Sequence, residues 1–217
     1  MAENAQFRPS IIFACHEIMD RMKIKLGNLR RRISNRIKKQ EDKGNAEKSG
    51  NEKAILDVGC GTAKIPGAIG IDRVQLEGVD IVHDLNIFPW ADLGDETFDE
   101  IHMNDVIEHL DDVIQVMREC HRLLKLNGKL HVRVVYWNHY NAFSDPTHKQ
   151  FFTDKTFKFF TGEKRPYYTD FKFSDVKIDY IFDRNAMKKF GKNPKRLFRK
   201  AYFNCNIIQG MEVTLTK

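Results

Sequence analysis

The chain has 217 residues, 41% of them hydrophobic and 30% charged, which suits one sizeable soluble core and is short for two. Its formal charge of +6 conceals an asymmetry: residues 21–39 carry nine Lys or Arg and residues 184–200 carry eight, neither stretch holds an acid, and the remainder is therefore near −11. The longest apolar run near the start, Ile11 to Cys15, is too short for an export signal or a bilayer span, and four scattered cysteines without a CxxC pair read as reduced thiols of a cytoplasmic protein.

Residues 1–39 are expected to be helical. Ile11, Cys15, Ile18, Met22, Leu26, Leu29, Ile33 and Ile37 recur every three or four positions and line one face of a basic amphipathic segment. Gly27 is a natural bend. Residues 40–53 lack apolar periodicity and read as a polar linker. From Ala54 the pattern alternates. "AILDV", "AIGID", "VDIVHDL" and "FDEIHMN" read as strands, residues 105–125 as a helix stopped by "LNG", and "KLHVRVVYW" as a fifth strand. Residues 137–169 are aromatic and rich in turn formers. "FKFSDVKIDYIFD" reads as a strand, residues 184–203 as a basic helical excursion, and "CNIIQGMEVTLT" as the last strand. The alternation predicts a parallel α/β sheet, and the last two strands predict an antiparallel hairpin at its edge.

In such a sheet ligands sit at the carboxyl ends of the strands. Gly59 and Gly61 follow the first strand, where glycines let backbone approach a ligand. Asp72 ends the second strand, placed to take both hydroxyls of a ribose, and Asp84 ends the third, near an adenine edge. A dinucleotide site requires a third glycine and a helix facing a pyrophosphate. Here Lys64 stands at that glycine's place and Pro66-Gly67 follows, leaving room between Gly61 and Asp72 for a turn only. The loop therefore suits a ligand with ribose and adenine but no phosphates.

S-adenosylmethionine is such a ligand. "ILDVGCGTA", "GAIGID", "VDIVHDLNIFPW", "FDEIHMNDVIEHL" and "ECHRLLKLNGKLHVRV", in that order, resemble the class I S-adenosylmethionine-dependent methyltransferases, the small type 11 domain in particular, over residues 54–135. The resemblance implies a Rossmann-like fold, with a seven-stranded, mostly parallel sheet, one antiparallel edge strand and three α/β/α layers, over residues 54–217. Within it, residues 137–169 would be a substrate lid and residues 184–203 a basic insertion. Carried over residue by residue, it implies that Asp57 orients the loop, Gly59 and Gly61 underlie the methionine and ribose, Asp72 takes the ribose hydroxyls, Asp84 and Leu85 contact the adenine, and Asn104 and Asp105 face the sulfonium. Ala63 replaces a further family glycine, and Lys64 is placed to pair with the methionine carboxylate.

Methyl transfer from a sulfonium is an in-line displacement with a good, neutral leaving group, so alignment and a dry pocket do most of the work. A base is needed only for an acceptor that must lose a proton. Glu108 and His109 follow the fourth strand, and His139, Tyr140, Asp145 and His148 lie in the aromatic segment. His148, held as a base by Asp145, and His109 are the catalytic candidates. His102, His121 and His131 read as packing residues. No metal site is expected, because no two His or Cys stand at i, i+4 with a third nearby.

The expected acceptor is a small molecule, with a saccharide or lipid-linked intermediate as one form, met in the cytoplasm or at its membrane face. Arg21–Lys39 and Lys188–Lys200 would meet an anionic membrane surface or RNA. Two alternatives stand beside this: an RNA or protein methyltransferase that docks through the basic segments, and a non-catalytic cofactor-binding scaffold. The acceptor atom and the oligomeric state stay open.

Overall fold

Short apolar runs assemble into one seven-stranded sheet: β1 (Ile55–Val58), β2 (Ile69–Asp72), β3 (Ile81–Val82), β4 (Phe98–Asn104), β5 (Leu124–Val135), β6 (Asp175–Phe182) and β7 (Ile208–Thr216). The computed structural model describes residues 53–163 and 167–217. The helical segment expected over residues 1–39, and all but Lys53 of the linker expected over residues 40–53, lie outside them.

The strand order is β3-β2-β1-β4-β5-β7-β6. Strands β1 to β5 pair in parallel, and β7 runs antiparallel to both β5 and β6. The last two strands thus form the antiparallel hairpin expected at the edge. Leu56, Asp57 and Val58 are all buried, as in a strand covered on both faces. Along β5 and β7 burial alternates, and Leu130, Val132 and Val134 stand opposite Leu215, Val213 and Met211. These apolar cross-strand pairs lock the register. The outer strand β6 keeps Asp175, Lys177 and Asp179 exposed, charges that discourage pairing with another chain.

Helices flank the sheet: α1 (Val113–Leu123), α2 (Asn141–Ser144), α3 (Asp154–Lys158), α4 (Arg184–Phe190) and α5 (Pro194–Ala201). The basic excursion between β6 and β7 is the α4–α5 pair. It closes over its own small core of Ala186, Leu197 and Ile207, with Phe182, Met187 and Phe190 against it.

Three boundaries differ from the sequence pattern. The helix expected from residue 105 begins at Val113. Asp105 takes a left-handed φ of +53°, Ile107–His109 makes one 3-10 turn, and the Asp112 carboxylate caps α1 by accepting from Gln115 N at 3.0 Å. The "LNG" turn lies within β5, where Asn127 takes φ +64° and the register against β4 shifts between Phe98 and Glu100. β3 pairs through two residues only. Between β1 and β2 the chain makes turns and no helix, as the ten residues between Gly61 and Asp72 require.

Candidate functional site

The turn after β1 is shaped by carboxylates. Asp57, 3% exposed, accepts from Ile65 N at 2.8 Å and so folds the loop back over its strand. Burial raises the Asp57 carboxyl above its ordinary value, and the Ile65 bond opposes that rise. Asp72 Oδ2 accepts from Gly61 N at 3.0 Å, and its Oδ1 accepts from Val74 N at 3.0 Å. The second strand's carboxylate thereby ties down the first strand's loop. Gly59 has φ +65°, and a Cβ there would stand 2.5 Å from Val106 Cγ2. Gly61 has φ +49°, and a Cβ there would meet nothing within 4 Å. One glycine permits a close crossing with the chain after β4, and the other leaves space above the loop.

Lys64 is engaged inside the protein: its ammonium pairs with Asp80 Oδ2 at 2.7 Å. This links it to the loop before β3, and its side chain lies across Gly70, where a Cβ would stand 2.6 Å from the Lys64 Cδ.

After β3, Asp84 Oδ1 accepts from Asn86 N at 3.0 Å, a local turn. Leu85 is buried and its carbonyl accepts from Trp90 Nε1 at 3.0 Å. Trp90 is fully buried, and its backbone N–H meets buried Glu119 at 2.7 Å. Arg122 completes the anchor with Glu119 Oε1 at 2.6 Å and Asp95 Oδ1 at 2.5 Å. Helix α1 therefore fixes the loop that carries Asp84 and Leu85.

Gly59, Asp72, Asp84, Leu85, Asp105 and His109 line one cavity of about 450 Å³, closed on the far side by Pro146, Thr147 and Lys149. Of the remaining expected residues, Asp57 and Gly61 shape the loop from outside the cavity wall, and Asn104 is exposed at the end of β4. Asp105, held by an ion pair with Arg133, also borders a second cavity of about 800 Å³, lined by Arg133, Asn141, Asp183 and Lys188 among others.

The far wall corrects the expected Asp145–His148 couple. Asp145 Oδ1 is taken by Thr147, through its N at 2.8 Å and its Oγ1 at 2.6 Å. These bonds hold the Asp145 carboxyl below its ordinary value. His148 Nδ1 lies 3.0 Å from the Ala142 carbonyl. The residue that Asp145 reaches is His109, by way of Thr147, whose Oγ1 is 2.9 Å from His109 Nδ1. The carboxylate that stands with the two histidines is Glu108. Glu108, His109 and His148 each offer a donor atom within 4.8 Å of the other two, and the two rings stack edge-on at 4.7 Å. Glu108 is 1% exposed, and among the described residues neither of its oxygens makes a hydrogen bond of ordinary geometry, although the backbone N–H groups of Glu108 and Val135 lie near enough to favour its charged form. Burial, with Asp105 adding to it, pushes this carboxyl up to about 7.

The aromatic segment divides in two. Phe152, Phe157 and Phe160 are buried, whereas Phe143 and Phe151 stack on each other at 4.7 Å and remain exposed, as do Tyr167 and Tyr168. His139 is buried, with Nε2 3.7 Å from Asp183 Oδ2, and Tyr140 is exposed. His102 and His131 stack at 4.6 Å across β4 and β5. His121 packs against Phe171 and Phe173.

The fold is an open α/β sheet with a cavity at the carboxyl ends of its strands. A family model described as a methyltransferase domain matches residues 26–175, and the chain belongs to that family, the class I S-adenosylmethionine-dependent methyltransferases. The fold is shared with a SAM-dependent methyltransferase of Archaeoglobus fulgidus, at 20% identity over 76% of this chain and 86% of that one, with a TM-score of 0.57. It is shared also with phosphoethanolamine N-methyltransferase 2 of Haemonchus contortus, solved with S-adenosyl-L-methionine, at 12% identity over 84% of this chain and a TM-score of 0.52. The chain spans about half of that longer protein, 52%. No match was found among curated proteins.

Proposed function

We propose that the 450 Å³ cavity holds the methyl donor, and that the enzyme methylates a small molecule that enters between His109 and the Thr147 side. The observation that carries this reading is convergence. Five of the eight residues expected at the donor site (Gly59, Asp72, Asp84, Leu85 and Asp105) line one cavity at the carboxyl ends of neighbouring strands, where open α/β sheets bind ligands. The open space above Gly61 and the Asp72 carboxylate fit a ribose, and Leu85 offers apolar contact to a base. The donor supplies an activated methyl group. The chain's own part is to orient that group, to exclude water through the segment after β5, and to hold the acceptor near His109.

Asp72→Ala tests the donor site by calorimetry with S-adenosylmethionine. Affinity should fall by about 1–3 kcal/mol, the loss of a charged hydrogen-bond partner, while the thermal midpoint reports any loosening of the Gly61 turn. Unchanged affinity in a folded variant sinks the assignment.

A membrane-face acceptor, saccharide or lipid-linked, is favoured by one surface. Next to the basic helices α4 and α5, Tyr202 and Phe203 are 86% and 85% exposed, aromatic rings beside cations as at a lipid headgroup layer. Among the described residues no helix is long and apolar enough to cross a membrane, so contact would be peripheral. Flotation with anionic but not neutral vesicles supports this docking. Steeply salt-dependent RNA binding instead turns the reading to the nucleic-acid alternative.

A further inference from the structure

We propose that Glu108, His109 and His148 form a binding site for one divalent first-row transition-metal ion. Three observations meet here. The three side chains present donor atoms within 4.8 Å of one another. Ligands around a metal at 2.0–2.2 Å stand about 3–3.5 Å apart, so small side-chain rotations close the set. Glu108, 99% buried by its 1% exposure, has two oxygens that make no hydrogen bond of ordinary geometry among the described residues. A buried carboxylate without a partner is costly, and a cation is the partner that this site lacks.

The hydrogen bonds also assign the tautomers. Thr147 has one hydroxyl proton, and its 2.6 Å contact with Asp145 Oδ1 consumes it, since an ionised carboxylate only accepts. Thr147 Oγ1 can then only accept from His109 Nδ1, at 2.9 Å. The Ala142 carbonyl likewise only accepts, so His148 Nδ1 donates to it at 3.0 Å. Both rings are left with their lone pair on Nε2, the arrangement in which an outer hydrogen bond orients a metal-ligating histidine. Asp145 and Thr147 are positioning residues in this scheme. They act on His109 and need no contact with substrate.

One carboxylate and two imidazoles suit Zn²⁺, Mn²⁺, Fe²⁺ or Co²⁺ more than Mg²⁺ or Ca²⁺. Three protein ligands leave coordination positions open, and His109 lies on the cavity wall. The consequence, which rests on the proposed donor site, is an acceptor that binds through a hydroxyl oxygen. The ion lowers the pKa of that hydroxyl, whose proton passes to water. The oxygen then forms the new C–O bond to the methyl carbon as the C–S bond breaks, and its negative charge cancels the positive charge of the sulfonium.

The test uses the full chain, stripped with EDTA and titrated with Co²⁺, read by visible absorption and calorimetry. One ion per chain is expected, weakened at least about 100-fold in Glu108→Gln and in His148→Ala, and about 10- to 100-fold in Thr147→Val. Catechol, a small oxygen-donor probe, should change the Co²⁺ spectrum; a spectrum that ignores it removes the hydroxyl-acceptor consequence. Glu108→Gln should fold at least as well as the metal-free parent, because it removes a buried charge. Absence of stoichiometric binding overturns the proposal. So does an ion that survives in Glu108→Gln and His148→Ala but is lost in His102→Ala, which would place it at Glu100, His102 and His131. Titration of the same stripped protein with S-adenosylhomocysteine reads the donor site separately, so either site can fail alone.

Discussion

On the side of the cavity proposed to hold the donor, each turn is held by a carboxylate close in sequence: Asp57 to Ile65, Asp72 to Gly61, Asp84 to Asn86. On the side formed after β5, the holding contacts cross far longer stretches. His109 meets Thr147, Lys149 N donates to the Glu108 carbonyl at 2.8 Å, and Lys149 Nζ reaches Asp111 at 2.6 Å. The donor side is thus a set of short loops that close at little entropic cost once the strands are paired. The acceptor side exists only after the whole chain has folded. The first kind of wall suits a ligand shared by many enzymes, and the second can change its chemistry without disturbing the first.

Mutations can break this contrast. Phe152, 1% exposed and stacked on Phe157 at 5.5 Å, accepts from Trp137 N through its carbonyl and anchors the segment behind the far wall. Phe152→Ala should lower stability by about 3–5 kcal/mol. S-adenosylhomocysteine affinity, measured where the variant stays folded, should hardly change; a parallel loss of donor binding would show that the two walls are one unit. Gly59→Ala should act the other way, since the left-handed backbone and the clash with Val106 cost about 2–5 kcal/mol together and fall on donor binding. Gly61→Ala, with open space around it, should cost only the backbone share, about 1–2 kcal/mol. Equal losses at the two glycines would mean that Val106 does not confine the loop.

The smallest effect lies away from both walls. Glu100 is held below its ordinary value by its bond to Lys53, at 2.5 Å. A depressed carboxyl contributes stability above its unfolded value and loses it as the pH falls through the folded one. Glu100→Gln should therefore lower the thermal midpoint slightly at neutral pH, and the gap to the parent should close in acid. A gap that persists at low pH would point to a packing role instead.

Much of the proposed donor site was legible because its cues are local. Glycines at Gly59 and Gly61, a carboxylate at each strand end, and the short span to Asp72 each follow from what a tight turn near a ligand requires. The helix after β4 starts later than apolar spacing suggests because Asp105 turns left-handed with its carboxylate on Arg133 and Asp112 caps the helix. Apolar spacing alone does not register either. The ion pair of Lys64 with Asp80 was not legible, since it depends on the fold bringing the loop before β3 beside the loop after β1.

From the amino-acid pattern alone came the α/β sheet and the antiparallel edge, because periodicity and turn chemistry act over a few residues, while the family came from the resemblance of five motifs in order. Tertiary structure alone decided that Asp145 serves His109 rather than its neighbour His148, and that His148 comes back to the adjacent pair of buried Glu108 and His109. Such meetings depend on strand order and packing across some forty residues, and no local spacing encodes them.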